Sequence, residues 1–168
     1  GSAMHIHQSI VDAKTGNLRN TGLQPAPRVD LSEMDEGRLY ATSHDGTKVP
    51  VTLLYRKSTM LTADNPTLLV GYGAYGIPQA PAYDPTRLAW LERGGIWVTV
   101  SLRGGAEYGE AWHQAGMVER KQNVFDDFIA ALELLVREKY TSPARLAIMG
   151  DSNGGLLVGA LMTQRPDL

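Results

Sequence analysis

The sequence contains no cysteine, and this absence excludes several kinds of chemistry. Disulfide bridges, a thiolate nucleophile and zinc held by thiolates all need that residue. No run of lysine and arginine exceeds two residues and the formal net charge is −2, so the basic face of a nucleic-acid-binding protein is missing. No apolar run approaches the roughly 18 residues that predict a membrane-spanning helix. No sequence feature assigns a compartment, and cytoplasm and periplasm both remain open.

What is present is a composition typical of a globular domain, with 43% hydrophobic and 20% charged residues. The first four residues, "GSAM", are typical of a remnant left by tag removal. Residues 5–37 are polar, with turn signals at 15–17 and 25–27, and predict at most one short strand over 6–11. We therefore expect residues 1–37 to be this remnant followed by a linker or by the tail of a preceding domain.

Residues 38–168 predict an α/β fold. Two β-prone runs, "RLYATS" and "VPVTLLYRK", flank the turn dipeptide Asp45-Gly46 and predict an antiparallel hairpin. Three apolar runs follow, "TLLVGY" (67–72), "GIWVTV" (95–100) and "RLAIM" (145–149), which predict buried strands. Helical patterns alternate with these runs. The order predicts a mostly parallel sheet of the α/β-hydrolase type, with the hairpin as an antiparallel edge.

Helix boundaries can be predicted from capping residues. Asp84 before Pro85 predicts a helix start, and Gly94-Gly95 predicts its end. Asn123 with Asp126 three residues later predicts a capping box, followed by apolar residues at helical spacing. The final helix is predicted over "GGLLVGALMTQ".

The stretch "GDSNG" (150–154) fits the pattern G-x-S-x-G, with a predicted strand before it and a predicted helix after it. This context is that of a nucleophile elbow, where a sharp turn raises the Ser152 hydroxyl above the sheet edge. The N–H of Asn153, at the positive end of the helix, could stabilise an oxyanion. The alternative is a serine that caps a helix in a glycine-rich turn. The phosphate-loop pattern G-x-x-x-x-G-K-[ST] does not fit, since no lysine follows these glycines, and the dinucleotide-binding pattern G-x-G-x-x-G is also absent here.

A serine nucleophile needs a base, and the chain order does not supply one. In an α/β-hydrolase the order is serine, acid, histidine. Only Asp167 follows among the acids, and all four histidines precede Ser152: His5, His7, His44 and His113. We therefore expect the chain to be cut before its triad closes, so that it lacks the catalytic Asp and His.

Other polar residues have simpler interpretations. His113 lies in an aromatic, glycine-rich segment and is predicted to pack or to form hydrogen bonds rather than act as a base. Arg103 is predicted to hold a loop rather than a substrate carboxylate. Adjacent residues on a helix point in different directions, so Asp126 and Asp127 are predicted to serve capping and helix-dipole roles.

Five segments, in this order and spacing, resemble the prolyl oligopeptidase family of serine peptidases, and the resemblance covers about residues 38–168. They are "SHDGTKVPVTLLYRK" (43–57), "GYGAYG" (71–76), "SLRGGAEYGEAWHQAGM" (101–117), "KQNVFDDF" (121–128) and "YTSPARLAIMGDSNGGLLVGALMTQRPDL" (140–168). The resemblance implies an α/β-hydrolase catalytic domain accompanied by a β-propeller, of which residues 5–37 would be the tail or the return linker. It also implies hydrolysis of short peptides, typically after proline, without a metal or cofactor. The implied partners are a peptide substrate and the remainder of the same peptidase, with no nucleic acid.

The resemblance also assigns residues to the site. Ser152 matches the nucleophile, the Asn153 N–H matches one oxyanion donor, and Tyr72 matches the tyrosine whose hydroxyl is the other. Tyr75 falls where the family has an aromatic residue near the substrate pocket. Without the resemblance, Tyr72 is an aromatic residue that packs at a strand end.

Two positions depart from the family pattern. Asp151 replaces a glycine and puts a carboxylate beside the nucleophile, which would disfavour nearby negative charge. Ala106 replaces a glycine in "RGGAEYG". Two alternatives stay open: an esterase or lipase, which uses the same elbow, and an inactive fragment or binding module with negligible hydrolysis by itself.

Overall fold

The structure, a computed structural model, describes residues 8–23, 32–79 and 84–168. Its strands are β1 (Ser9–Val11), β2 (Leu18–Asn20), β3 (Met34–Thr42), β4 (Lys48–Arg56), β5 (Thr67–Val70), β6 (Ile96–Val100) and β7 (Leu146–Met149). Its helices are α1 (Pro85–Leu91), α2 (Glu110–Gln114), α3 (Gln122–Arg137) and α4 (Asn153–Gln164), with 3₁₀ turns at Val118–Arg120 and Pro143–Arg145.

Strands β3 to β7 form one sheet in the order β3-β4-β6-β5-β7. β3 and β4 pair antiparallel, β4 pairs antiparallel with β6, and β5 runs parallel to both β6 and β7. The predicted α/β fold with an antiparallel hairpin at its edge is confirmed. β3 starts earlier than the predicted run, since Met34 already pairs with Arg56. The parallel strands β5, β6 and β7 end at the same sheet edge, which is where sites form in such folds.

Strands β1 and β2 form a separate antiparallel hairpin. β1 confirms part of the strand predicted over residues 6–11, whereas β2 was not predicted. Its three residues are all exposed in the structure. The sequence there lacks the alternation of apolar and polar residues that predicts a half-buried strand. The predicted turn at 25–27 lies outside the described residues.

The two faces of the sheet are covered differently. Residues that follow each other on a strand point to opposite faces, so Leu53 and Leu54 belong to different cores. The larger core packs α3 and α4 against the sheet around Leu69, Phe128 and Leu157. The smaller core packs α1 against the other face. It consists of Leu54, Leu88, Leu91 and Trp97.

Only one of the two predicted helix caps is present. The Asp84 carboxylate accepts a hydrogen bond from the Thr86 N–H at 2.8 Å and caps α1 as predicted. The predicted capping box at α3 is wrong, because this helix begins at Gln122, and the side chain of its N-cap residue, Lys121, makes no capping hydrogen bond. The Asn123 amide instead donates to the Ala115 carbonyl at 2.8 Å, and Asp126 accepts from Gln122 at 2.9 Å. The Asn123 side chain is therefore used to fix the preceding loop.

Candidate active site

The turn between β7 and α4 is held in a strained conformation by backbone contacts. Ser152 has φ 53° and ψ −114°, in the left-handed half of the map that a serine seldom occupies. A Cβ atom on Gly150 would lie 2.3 Å from the Gly154 carbonyl oxygen, and one on Gly154 would lie 2.7 Å from the Gly71 carbonyl oxygen. Only glycine fits at these two positions, so the flanking glycines of the motif have a steric cause.

Ser152 occupies the N-cap position of α4, yet its side chain makes no hydrogen bond to the helix. The hydroxyl is exposed, and it has no hydrogen-bond partner within the described part of the chain. The N–H groups of Gly154 and Gly155 donate to the carbonyls of Asp151 and Ser152, at 2.7 and 2.9 Å. The alternative of a helix-capping serine therefore does not describe this turn.

The loop after β5 brings Tyr72 to the elbow. Its ring carbon Cδ2 lies 3.8 Å from the position that a Cβ atom of Gly154 would take. Tyr75 has φ 55° and is 72% exposed, and its ring centroid lies 6.4 Å from that of Tyr72. The structure thus brings together the tyrosine loop and the serine turn, two segments about eighty positions apart in the sequence.

A cavity of about 310 Å³ adjoins these two segments. Asn153 and Tyr75 belong to its wall, whereas Ser152 and Tyr72 do not. Most of the remaining wall is apolar or glycine. It comprises Ala74, Gly104, His113, Gly116, Met117, Val118, Lys121 and Leu156.

Lys121 is the site residue to which sequence reasoning gave no role. Its ammonium donates to the Gly73 carbonyl at 2.8 Å and to the Asn153 side-chain oxygen at 2.7 Å. Burial of the ammonium lowers the pKa of Lys121 below its ordinary value. No local signal could have found this role, since the two partners lie 48 and 32 residues away in the sequence.

Arg103 has the loop-holding role predicted for it. Its guanidinium binds the Asp127 carboxylate through Nε and Nη2, the latter at 2.6 Å, and donates to Ser43 at 3.1 Å and to Asp45. The hydrogen bond from Arg103 holds the pKa of the Asp45 carboxyl well below its ordinary value. Asp127 is fully buried, so the helix-dipole role predicted for it is wrong.

The remaining candidates do not join the elbow chemistry. His113 Nδ1 lies 3.4 Å from a Glu110 carboxylate oxygen, and its ring packs near Gly76, in agreement with the predicted packing role. The exposed Asp151 carboxylate has no partner among the residues that the structure describes. Within those same residues, no group of three or more histidine or acidic side chains could hold a metal ion. None of the described helices is both long and apolar enough to cross a membrane.

Comparisons with known proteins agree on one family. The model of the prolyl oligopeptidase family matches residues 81–168. A prolyl endopeptidase of Elizabethkingia meningoseptica is 49% identical over 78% of this chain and 19% of that protein. Protease 2 of Moraxella lacunata is 42% identical over 96% of this chain and 25% of that protein.

Solved structures agree with the sequence matches. One, from an analysis of two prolyl endopeptidases, has a TM-score of 0.88 and 44% identity over 95% of this chain and 23% of the solved chain. Oligopeptidase B from Leishmania major also has a TM-score of 0.88, at 36% identity over 95% of this chain and 22% of that one. The chain therefore spans about a fifth to a quarter of the length of these relatives. The sequence, the sheet order and the strained serine turn converge with these matches: the chain belongs to the prolyl oligopeptidase family.

Proposed function

We propose that Ser152 is the nucleophile of a serine peptidase that hydrolyses short peptides after proline. The observation that carries this proposal is the backbone of Ser152. The residue is held in a strained conformation between two required glycines, and its exposed hydroxyl does not cap the helix behind it. Strain of this kind costs about 1–3 kcal/mol and clusters at functional sites.

The reaction would proceed through an acyl-enzyme. The Ser152 Oγ attacks the scissile carbonyl carbon while its proton passes to a base, and the carbonyl oxygen becomes an oxyanion. Collapse of this intermediate breaks the C–N bond and releases the amine, which takes up the proton. Water then attacks the ester by the same route and frees the new carboxylate and Ser152.

Two donors would stabilise the oxyanion. The Asn153 N–H belongs to the first turn of α4, so it has no partner inside the helix. No other acceptor for it exists among the described residues. The Tyr72 hydroxyl would approach from the neighbouring loop, since the ring of Tyr72 lies beside the elbow. Tyr75, on the cavity wall next to Asn153, would contact the substrate.

We further propose that residues 38–168 form the first part of a catalytic domain that is completed by segments outside this chain. These segments would supply the catalytic Asp and His and a β-propeller, with residues 5–37 as the propeller's tail or return linker. Two observations support this: the short span relative to the family members, and the absence of a hydrogen-bonded base at Ser152 among the described residues. The chain alone would then show negligible hydrolysis.

The nucleophile assignment is tested in the complete peptidase with a fluorophosphonate probe, which labels activated serines. We expect the wild-type protein to be labelled, and Ser152→Ala to lose both labelling and cleavage of a proline-containing fluorogenic peptide. Ser58→Ala is the matched control, because Ser58 is an exposed serine in the turn after β4. Labelling that persists in Ser152→Ala would refute the assignment.

Substrate class needs a separate experiment, since the relatives are named for different activities. They include prolyl endopeptidases, an oligopeptidase B and a dipeptidyl aminopeptidase. A panel of fluorogenic peptides should vary the residue before the scissile bond, alongside simple activated esters. We expect the highest kcat/KM for peptides with proline at that position. Cleavage of esters without cleavage of any peptide would favour the esterase alternative.

A further inference from the structure

We propose that Lys121 is a positioning residue of the oxyanion site: its ammonium joins the Gly73 carbonyl to the Asn153 side chain and so fixes the two oxyanion donors relative to each other. This inference rests on the proposed function, in which Tyr72 and Asn153 are those donors. It adds a residue to which neither the motif nor the sequence pattern gave a role.

The first argument is geometric. The two donors lie on separate loops, residues 71–76 and 150–154, and an oxyanion must lie about 3 Å from both. Lys121 contacts both loops, since Gly73 directly follows Tyr72 and Asn153 is itself the second donor residue. The two hydrogen bonds are 2.8 and 2.7 Å long, in the range of charge-assisted bonds.

The second argument is that Lys121 has a rigid support. It occupies the N-cap position of α3, a helix of 16 residues. Val124 and Phe128, on the first two turns of α3, are completely buried in the main core. The backbone that carries Lys121 is therefore held by core packing, and the two hydrogen bonds fix where its ammonium lies. Val124 also packs against Gly73: a Cβ atom added to Gly73 would lie 2.3 Å from Cγ1 of Val124.

The third argument concerns charge. Both partners of Lys121 are neutral oxygens, and no carboxylate of the described residues lies within ion-pair distance of it. A half-buried ammonium without a counter-ion is unfavourable for the folded state. The reaction would supply the missing negative charge, because an oxyanion develops next to Asn153 only in the transition state. Lys121 has a third donor as well, and its side chain lines the cavity beside Asn153.

The test is steady-state kinetics of Lys121→Met in the complete peptidase, because methionine keeps most of the apolar stem and removes the ammonium. We expect kcat to fall about 10- to 100-fold with KM changed less than about threefold, since donors that are no longer held in place bind the oxyanion less well, and the oxyanion forms only in the transition state. Lys121→Arg restores a charged donor and should recover at least part of kcat. Lys48→Met is the matched control. Lys48 is exposed on β4 and donates to one neutral oxygen, that of Thr42, so its replacement should leave kcat unchanged.

Inhibitor binding separates positioning from general damage. A peptide aldehyde forms a hemiacetal whose oxygen occupies the oxyanion site, whereas the corresponding peptide acid does not need that site. We expect Lys121→Met to weaken binding of the aldehyde by about the factor by which kcat falls. The dissociation constant of the peptide acid should change by less than about threefold. Equal weakening of both ligands, or a kcat within twofold of wild type, would overturn the proposal.

Asn153→Ala keeps the test decisive even if Lys121→Met fails to fold, because it removes the acceptor of the Lys121 hydrogen bond and keeps the backbone donor. We expect kcat to fall about 10-fold or more, and the double variant to be no worse than the poorer single variant. Full activity of Asn153→Ala overturns the positioning role. Ser152→Ala separates the two proposals: if that variant retains activity, both are wrong. If it is inactive while Lys121→Met keeps its kcat, only the role of Lys121 is wrong.

Discussion

Two cations hold loops at the carboxyl edge of the sheet, and they differ in what they bind. Arg103 is almost completely buried and contacts two carboxylates and a hydroxyl, so its charge is neutralised on the spot. Lys121 is only half-buried and contacts two neutral oxygens, so its charge is not neutralised. Arg103 therefore serves the fold, whereas the charge of Lys121 is left available for the proposed oxyanion site.

The largest effect should come from removing the carboxylate beneath Arg103. Asp127→Ala leaves a buried guanidinium without its main partner, which typically costs about 3–5 kcal/mol. We expect this loss in the free energy of unfolding of the complete peptidase, measured with urea. Asp126→Ala is the control on the same helix, since Asp126 accepts a hydrogen bond from the exposed Gln122, and it should lose less than about 1 kcal/mol. Similar losses of unfolding free energy for both variants would show that the contact of Asp127 with Arg103 does not hold the fold.

A smaller loss is expected from Arg103→Lys, which keeps the charge but removes the forked geometry. A lysine cannot reach Asp127, Asp45 and Ser43 together, and we expect a loss of about 2 kcal/mol in unfolding free energy. Arg137→Lys serves as the control, because Arg137 is exposed and pairs with the exposed Glu138. An Arg103→Lys protein as stable as wild type would show that charge alone holds these loops.

Lys121→Met should change stability by less than about 1 kcal/mol, because relief from an unpaired, half-buried charge offsets the two lost hydrogen bonds. Urea unfolding of the complete peptidase measures this change, beside the much larger expected change in kcat. A loss near that of Asp127→Ala would place Lys121 with the cations that serve the fold and would remove the contrast between the two.

The smallest effect is expected for Asp45→Asn, and it depends on pH. The pKa of Asp45 is lowered in the folded protein, so its charge stabilises the fold fully above the ordinary value of 3.8 and loses this effect as the pH falls below it. The carboxylate is partly exposed, so the unfolding free energy of the wild type should exceed that of the variant by less than about 1 kcal/mol at pH 7. Thermal unfolding should be measured from about pH 7 down to below pH 3.8. The Tm values of the two proteins should converge at the acid end. A difference that stays constant with pH would exclude the charge as its source.

The sequence predicts the sheet and the serine turn well because their signals are local. The buried strands are apolar runs, and G-x-S-x-G lies between a strand and a helix in the chain itself. The start of α3 could not be predicted, because Asn123 has the right side chain for a cap but uses it to bind Ala115, eight residues earlier. Capping statistics do not account for such competing partners.

The functions of Lys121 and Asp127 could not be predicted for a different reason. Their partners lie 24 to 48 residues away, so each contact exists only once the sheet has brought the loops together. For Asp127 the sequence offered only a pair of neighbouring acids on a helix. The structure separates them, with Asp127 buried against Arg103 and Asp126 on the outer side beside Gln122.

The uncapped start of α4 has a consequence for ligand binding. Asn153 is the first residue of this helix, and its N–H has no acceptor among the described residues, so the proposed oxyanion would be the acceptor that arrives. Stabilising the intermediate and completing the helix then become the same event. A bound peptide aldehyde should accordingly slow amide hydrogen exchange in the first turn of α4.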